Sequence, residues 1–273
     1  MTISSSSTVA PPVPEFWDIP ISVHTVNCNL NTRIDLENVF NSVSIYPYEI
    51  PKKTRGRRPK NRPAEPVHVM PPSGMIVSVA YKGNIRGTIV KKKKKSSGTM
   101  RNQISLYIMT IDKLVNIMLF VNGKMTITGG KNSEQIKVAV TWLCKHLQNV
   151  NLFNPCIDNN YLKVLTYNVR MVNVTYSIPF EIDRVGLNNL LKQMRTTTGE
   201  KFIQVTYESE VGSVHAIIRE PSNSDKKHTF FVYASGRVTM SGPGRVMMEP
   251  MYHIFNKILL LYRGYIEEPL NVT

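Results

Sequence analysis

Residues 120–130 read FVNGKMTITGG, and residues 233–243 read YASGRVTMSGP. Set in register on Gly123 and Gly236, 113 residues apart, the windows match in kind: Phe120 on Tyr233, Lys124 on Arg237, Thr126 on Thr239, Thr128 on Ser241, Gly129 on Gly242. Each window ends one strand on an aromatic residue, turns at a glycine, and opens the next strand with a cation and alternating hydroxyls. That is the pattern of a β-hairpin. A single match of this length also arises by chance, so the reading turns on the flanks.

Helical spacing follows both copies. After the first, Ser133-Glu134-Gln135 offers a helix start, and Ile136, Ala139, Val140, Leu143 and Leu147 form an apolar stripe. After the second, Glu249-Pro250 is the expected opening, with Pro250 in the first turn and Met251, Ile254, Phe255, Ile258, Leu259 and Tyr262 as the stripe. Upstream, VHTVN (23–27) pairs with VLTYN (164–168) at Val, Thr and Asn, and the short helical patterns IDLENVF (34–40) and FEIDRVGLNNLL (180–191) follow. Each half thus reads strand, short helix, several strands, long helix. The period is too long for a solenoid and fits two half-domains sharing one sheet.

Composition fits a globular protein: 42% of the 273 residues are apolar, enough to bury a core. The sequence shows no run of about 20 apolar residues and no signal-peptide pattern, so neither a membrane span nor secretion is expected. Cys28, Cys144 and Cys156 form no CxxC pair and lie in no histidine cluster, which predicts reduced thiols in an intracellular protein and no metal site.

The net charge of +15 is concentrated in one segment. Between Lys52 and Arg101 there are 15 Lys or Arg against one acid, Glu65, which leaves 19 basic and 18 acidic residues for the rest of the chain. The segment contains PKKTRGRRPKNRP (51–63), expected to be disordered from its proline and charge, then the strand-like MIVSVAYKGNIRGTIV (75–90) and KKKKKSSG (91–98). A run of like charge is often only a solvated face. So many cations with almost no acid point instead to a polyanion, and nucleic acid is the expected partner.

Alternate side chains of a strand share a face. In the first hairpin Asn116, Met118, Phe120, Lys124, Thr126 and Thr128 form one face, and Ile117, Leu119, Val121, Met125 and Ile127 the other. In the second, Thr229, Phe231, Tyr233, Arg237, Thr239 and Ser241 stand against Phe230, Val232, Ala234, Val238 and Met240. One face is apolar and suits packing beneath helices. The other is acid-free and bears hydroxyls and aromatics. Threonine and aromatics are also simply good strand formers, but the repeated pattern suits the minor groove, whose floor offers acceptors and whose base steps admit apolar wedges.

The order of elements and the motif aromatic-x-[SN]-G-[KR]-x-x-x-[ST]-G ahead of a long helix resemble the TATA-box-binding protein family. VHTVN with RIDL (33–36) and IIREP (217–221) add to the likeness, which covers roughly residues 20–44 and 100–265. YKGNIRG (81–87) before a lysine run, and VTMSGP (238–243), look closer to the TATA-box-binding-like transcription factors of large nucleocytoplasmic DNA viruses. The resemblance implies an α+β saddle of two pseudo-symmetric half-domains, each a curved antiparallel sheet backed by a long helix. The layout it implies is a disordered tail (1–19), a first half (20–148) with a basic insertion (45–100), a linker (149–163), a second half (164–266) and a tail (267–273).

The resemblance implies DNA contacts at Thr25, Met118, Phe120, Lys124, Thr126 and Thr128, and at Thr166, Phe231, Tyr233, Arg237, Thr239 and Ser241. Phe120 and Tyr233 stand where the family places one of each pair of wedging phenylalanines. By spacing, the other of each pair falls on Gln103 and Val211, and the family's two central asparagines fall on Ile21 and Leu162. Asn27 and Asn168 lie further along the same strands. These departures bear on TATA specificity and on the kink.

Lys52, Lys53, Arg55, Arg57, Arg58, Lys60, Arg62 and Lys91, Lys92, Lys93, Lys94 and Lys95 are expected to form a phosphate tether. Residues 54–60 also resemble an AT-hook with one extra arginine before its proline, and a nuclear import signal has the same composition. The leading function is a viral transcription initiation factor that binds promoter DNA through its sheet and recruits general transcription factors or RNA polymerase subunits through its helices. The alternative is an architectural or packaging protein with little sequence preference. No paired-carboxylate, Ser/His/Asp, Cys/His or phosphate-loop constellation is present, so an enzyme is not expected. The remaining expectations are a monomer with internal pseudo-twofold symmetry, double-stranded DNA as ligand, no cofactor, no membrane, and a site in the host nucleus, a cytoplasmic viral factory or the virion.

Overall fold

Alternating apolar strands and amphipathic helices fold into two units, each an antiparallel array of strands covered on one face by a long helix. The structure, a computed structural model, describes residues 12–50, 69–90, 102–149, 162–198, 202–208, 212–220 and 223–268. By its internal contacts the chain divides into a first unit, His24–Asn168, and a second, made of Met1–Val23 with Val169–Thr273. The α+β class and the pairing of an antiparallel sheet with a long helix are as expected.

In the first unit, β1 (Ile21–Leu30) leads to α1 (Leu36–Ser42), then β2 (Ile76–Tyr81), β3 (Asn84–Gly87), β4 (Gln103–Met109), β5 (Leu114–Phe120), β6 (Lys124–Gly130) and α2 (Ser133–Asn149). The strand order is β3-β2-β4-β5-β6-β1, antiparallel throughout. The expected stripe of α2 is wholly buried against Ile117, Leu119, Met125 and Ile127. Asn132 caps this helix, its Oδ1 accepting from Gln135 N at 2.8 Å, while Gln135 Oε1 accepts from Lys131 N at 2.8 Å, a reciprocal cap one residue earlier than the expected start.

In the second unit, β7 (Val164–Ser177) is followed by α3 (Arg184–Thr198), β8 (Phe202–Glu208), β9 (Ser213–Glu220), β10 (Asn223–Tyr233), β11 (Arg237–Gly242), α4 (Arg245–Leu261) and α5 (Arg263–Ile266), with strand order β7-β11-β10-β9-β8. Helix α4 starts before Glu249-Pro250, so Pro250 lies inside it rather than in its first turn. Met251, Phe255, Ile258 and Leu259 are buried as expected, whereas Tyr262 ends the helix and is exposed.

The hairpin glycines occupy one and the same environment. Gly123 has φ 77° and Gly236 φ 72°, values that favour a residue without Cβ. A Cβ on Gly123 would stand 2.2 Å from Thr32 O, and one on Gly236 2.4 Å from Phe180 O. Leu30 N donates to Gly123 O and Ile178 N to Gly236 O, both at 2.9 Å, and Ile34 N to Val121 O matches Ile182 N to Ala234 O. These four bonds place residues 30–34 on 178–182, an offset of 148. The counterpart of VHTVN is therefore MVNVT (171–175), seven residues beyond the VLTYN match. RIDL aligns with EIDR in the same frame, and Asp35 and Asp183 cap α1 and α3 alike, accepting from Glu37 N and Asn38 N at 3.0 Å and from Val185 N at 2.9 Å. The hairpins' offset of 113 then leaves the first half 35 residues longer between Asp35 and Gly123.

Two further expectations change. Residues 76–81 are not part of an insertion: β2 is a buried strand paired with β4, where β8 pairs with β9 in the other unit. The addition is β3, an edge strand whose Arg86 donates to the carbonyls of Phe40, Asn41 and Val43 at the end of α1. Residues 12–19 do not belong to a disordered tail either. They carry a 3-10 turn, Phe16–Asp18, with Phe16 and Ile19 buried in the second unit's core, because Arg245 donates to Phe16 O at 3.1 Å and Ile19 O at 2.9 Å and stacks over the rings of Phe16 and Trp17. Trp17 Nε1 donates to Glu249 Oε1 at 2.6 Å.

An alanine in a left-handed conformation costs about 1–2 kcal/mol before any clash. Gly123→Ala and Gly236→Ala are each expected to lower the unfolding free energy in urea by at least about 2 kcal/mol. Gly264→Ala, whose Cβ meets nothing within 4 Å, should leave it within about 0.5 kcal/mol. Unchanged midpoints for the two turn variants would remove these glycines as determinants of the hairpins.

Candidate nucleic-acid interface

The registers arrange the outward side chains of each sheet in rows across the strands. In the first unit one row runs Thr25 (β1), Thr128 (β6), Asn116 (β5), Tyr107 (β4) and Ser78 (β2). The next runs Asn27, Thr126, Met118, Ser105 and Ala80. In the second unit the matching rows are Asn173 (β7), Ser241 (β11), Thr229 (β10) and Ile217 (β9), then Thr175, Thr239, Phe231, His215 and Thr206. No acid occurs in these rows among the described side chains.

Their partners repeat as well. Thr126 Oγ1 donates to Asn27 Oδ1 at 3.1 Å, and in the equivalent place the hydroxyls of Thr175 and Thr239 lie 3.3 Å apart. At the hairpin ends Phe120 and Tyr233 are half-buried, and Lys124 and Arg237 are exposed. The Arg237 guanidinium lies 4.4 Å from the centre of the Tyr233 ring, which holds cation and aromatic together beside the turn. On the opposite face Ile117, Leu119, Met125, Ile127, Phe230, Val232, Val238 and Met240 are buried as expected. Val121 and Ala234 instead fall in the turns, and Val121 is exposed.

The two units share geometry and differ in chemistry. Met118 and Ser105 in the first correspond to Phe231 and His215 in the second, which stack face to face with centroids 4.6 Å apart and planes 6° from parallel. Asn116 Oδ1, Asn173 Oδ1 and Ser213 Oγ on this face are buried without a hydrogen-bond partner. Tyr107 also belongs to it, and burial raises its phenol pKa.

The position across from Phe120 is Gln103, as spacing indicates, but the position across from Tyr233 is Ser213 rather than Val211, which lies outside the described residues. Ile21 packs against the second unit's core and Leu162 in the first unit's core. Thr166 is exposed; Tyr167 beside it turns its hydroxyl to Ser133 O at 3.3 Å, so Thr166 stands on the face away from that core. The repeat assigns Asn173, not Thr166, as the counterpart of Thr25. Sequence alone has no access to the contributions of β4 and β9, because their pairing partners are fixed only by register. The tether residues Lys52, Lys53, Arg55, Arg57, Arg58, Lys60, Arg62 and Lys91–Lys95, with the AT-hook-like stretch, lie outside the described residues.

Cys28 and Cys144 are free thiols whose pKa burial pushes up to about 11, which makes both poor nucleophiles at neutral pH. Among the described residues no group of three or more His, Cys, Asp or Glu side chains is placed to hold a metal ion, and no helix is long and apolar enough to cross a membrane.

Comparison with known proteins bears on what such a face binds. Residues 75–150 match the family described as Transcription factor TFIID (or TATA-binding protein, TBP). A protein of Acanthamoeba polyphaga mimivirus, "TATA-box-binding protein-like", is 24% identical over 264 residues, covering 90% of this chain and 66% of the relative, so the chain spans about two thirds of that relative's length. The solved Methanococcus jannaschii TBP is 16% identical, with 92% of this chain and 99% of that one covered and a TM-score of 0.48. In sequence, the chain is similar to TATA-box-binding proteins, a viral TATA-box-binding-like protein among them.

Proposed function

We propose that the chain is a TATA-box-binding-like transcription initiation factor that binds duplex DNA in the minor groove through the hydroxyl-bearing face of each unit. The observation that carries this reading is the twofold recurrence, in one register, of the acid-free rows, next to a hairpin end where an aromatic ring and a cation stand beside a left-handed glycine. Hydroxyls both donate and accept, so they meet the groove's acceptors and sugar edges. Phe120 and Tyr233 supply apolar edges for insertion at a base step. Lys124 and Arg237, beside those rings, contribute charge that phosphates attract. Recruitment of general transcription factors or polymerase subunits through the helices, and a role in viral transcription, belong to the same proposal and are supported by the viral relative.

A second reading, an architectural protein with little sequence preference, has one observation in its favour. Gln103 and Ser213, across from Phe120 and Tyr233, are polar and carry no aromatic ring, so each hairpin offers one wedge. A genome-wide footprint separates the two: occupancy confined to sites upstream of genes supports the initiation factor, and uniform coverage the architectural protein.

Replacing Phe120 and Tyr233 together by Ala should reduce the bend of a short labelled duplex, read by fluorescence transfer, and abolish preference for sites rich in flexible TA steps. The dependence of log K on log salt should not change, since neither ring carries charge. A double variant that bends and selects DNA like the parent would return both rings to a packing role. Deleting residues 52–62, by contrast, should weaken binding to all sequences alike and flatten the salt dependence by about 0.9 for each phosphate that is no longer neutralised. An unchanged slope would assign the basic run to another task such as nuclear import.

A further inference from the structure

We infer that the second unit carries a phosphate-binding cleft built by Arg170, Lys226 and Lys227. A cavity of about 420 Å³ opens where β7, β10 and β11 meet the start of α4, and these three cations line it with the hydroxyl-bearing Thr229 and Ser241 and with Met247.

One backbone irregularity brings the two lysines to the same wall. Consecutive residues of a regular strand point to opposite faces, yet Lys226 and Lys227 both line the cleft. The pairing of β10 with β9 slips between Asn223 and Lys227, and a slip of this kind re-aims the side chains beside it. On the other wall Arg170 of β7, two residues before Val172 where the pairing with β11 ends, also lines the cleft.

The charge is not a consequence of composition. Outside residues 52–101 the chain holds 19 basic and 18 acidic residues, yet among the described residues no acid lines this cleft. None of the three cations forms an ion pair with a described acid. Three like charges around one cavity repel each other until an anion enters it. Ammonium and guanidinium donors beside two hydroxyls are the donor set of a phosphate group, and a bidentate guanidinium fits its oxygens. The volume exceeds that of a lone phosphate and suits a diphosphate or a phosphodiester with its flanking sugars.

The phosphate has two sources, the backbone of a bound duplex or a free di- or polyphosphate, and only the duplex arm rests on the DNA-binding proposal. The full chain, isotopically labelled, is titrated with inorganic pyrophosphate, and duplex affinity is measured across a salt series, each for the parent and for the Arg170→Gln/Lys226→Gln/Lys227→Gln variant. Equal unfolding midpoints for the two proteins establish that the variant folds.

A saturable shift of the Lys226, Lys227 and Gly242 amides in the parent, abolished in the variant, is the expected result with pyrophosphate. A salt slope smaller by about 0.9 or more in the variant assigns the cleft to the duplex backbone. Saturable pyrophosphate binding with an unchanged slope assigns it to a free polyphosphate. No pyrophosphate response together with an unchanged slope, or a response that survives in the variant, overturns the cleft. A parent that binds no duplex defeats the DNA-binding proposal alone, and the pyrophosphate titration then decides the cleft by itself.

Discussion

The left-handed glycine of each hairpin is the constraint on which the remaining arrangement depends. At Gly123 and Gly236 the chain turns so tightly against a neighbouring carbonyl that no Cβ fits. The glycine's own carbonyl accepts from Leu30 N or Ile178 N, which ties the hairpin to the end of the unit's first strand. A one-residue slip of a strand would carry every side chain to the other face. The turn therefore decides which residues meet the core and which form the outer rows. It also sets an aromatic ring and a cation at the end of each hairpin, where a one-residue slip would have put Val121 or Ala234.

Once the turn is fixed, burial does the rest. The inner faces of the hairpins are apolar except at His228, and each sheet has a long amphipathic helix to cover them. The rows from Thr25 to Ser78, from Asn27 to Ala80, from Asn173 to Ile217 and from Thr175 to Thr206 are left with mostly hydroxyls, amides and rings. Equivalent places hold different groups: Asn173 takes the place of Thr25 in the repeat, Thr175 that of Asn27, and the stacked Phe231 and His215 that of Met118 with Ser105. The two units thus offer the same lattice of positions with different donors and acceptors.

The sequence is most legible where a local rule is strict. The glycine turn, the alternation around it and the stripe of α2 each have one good solution, and expectation and structure agree over residues 116–147 at nearly every position. It is least legible where a pattern is degenerate. VHTVN matches VLTYN by letters, but the structural partner MVNVT has the threonine and asparagine exchanged, and only hydrogen bonds to the glycine reveal it. The buried strand β2 reads as part of an insertion because basic residues flank it on both sides. Residues 12–19 look like a tail because a lone Phe16 shows no periodicity; its place is set by Arg245, which lies 229 residues away in the sequence. The start of α4 is hidden because Pro250 is a usual first-turn residue that here sits further inside. Ser213 and Asn173 escape a reading by spacing for a related reason, since membership of a row depends on pairing that no spacing rule supplies.

The proposed activity rests on contact with the minor groove, and base substitution tests that most directly. An inosine·cytosine pair presents the major-groove pattern of G·C but lacks the amino group that G·C adds in the minor groove, where it matches A·T. Affinity would be measured for one duplex carrying a T·A-rich site and for the same duplex with that site replaced by inosine·cytosine or by guanine·cytosine. Minor-groove binding predicts that the inosine duplex binds like the T·A duplex and that the guanine duplex binds more weakly. Inosine and guanine duplexes that bind alike, and differently from the T·A duplex, would place the contact in the major groove and contradict it.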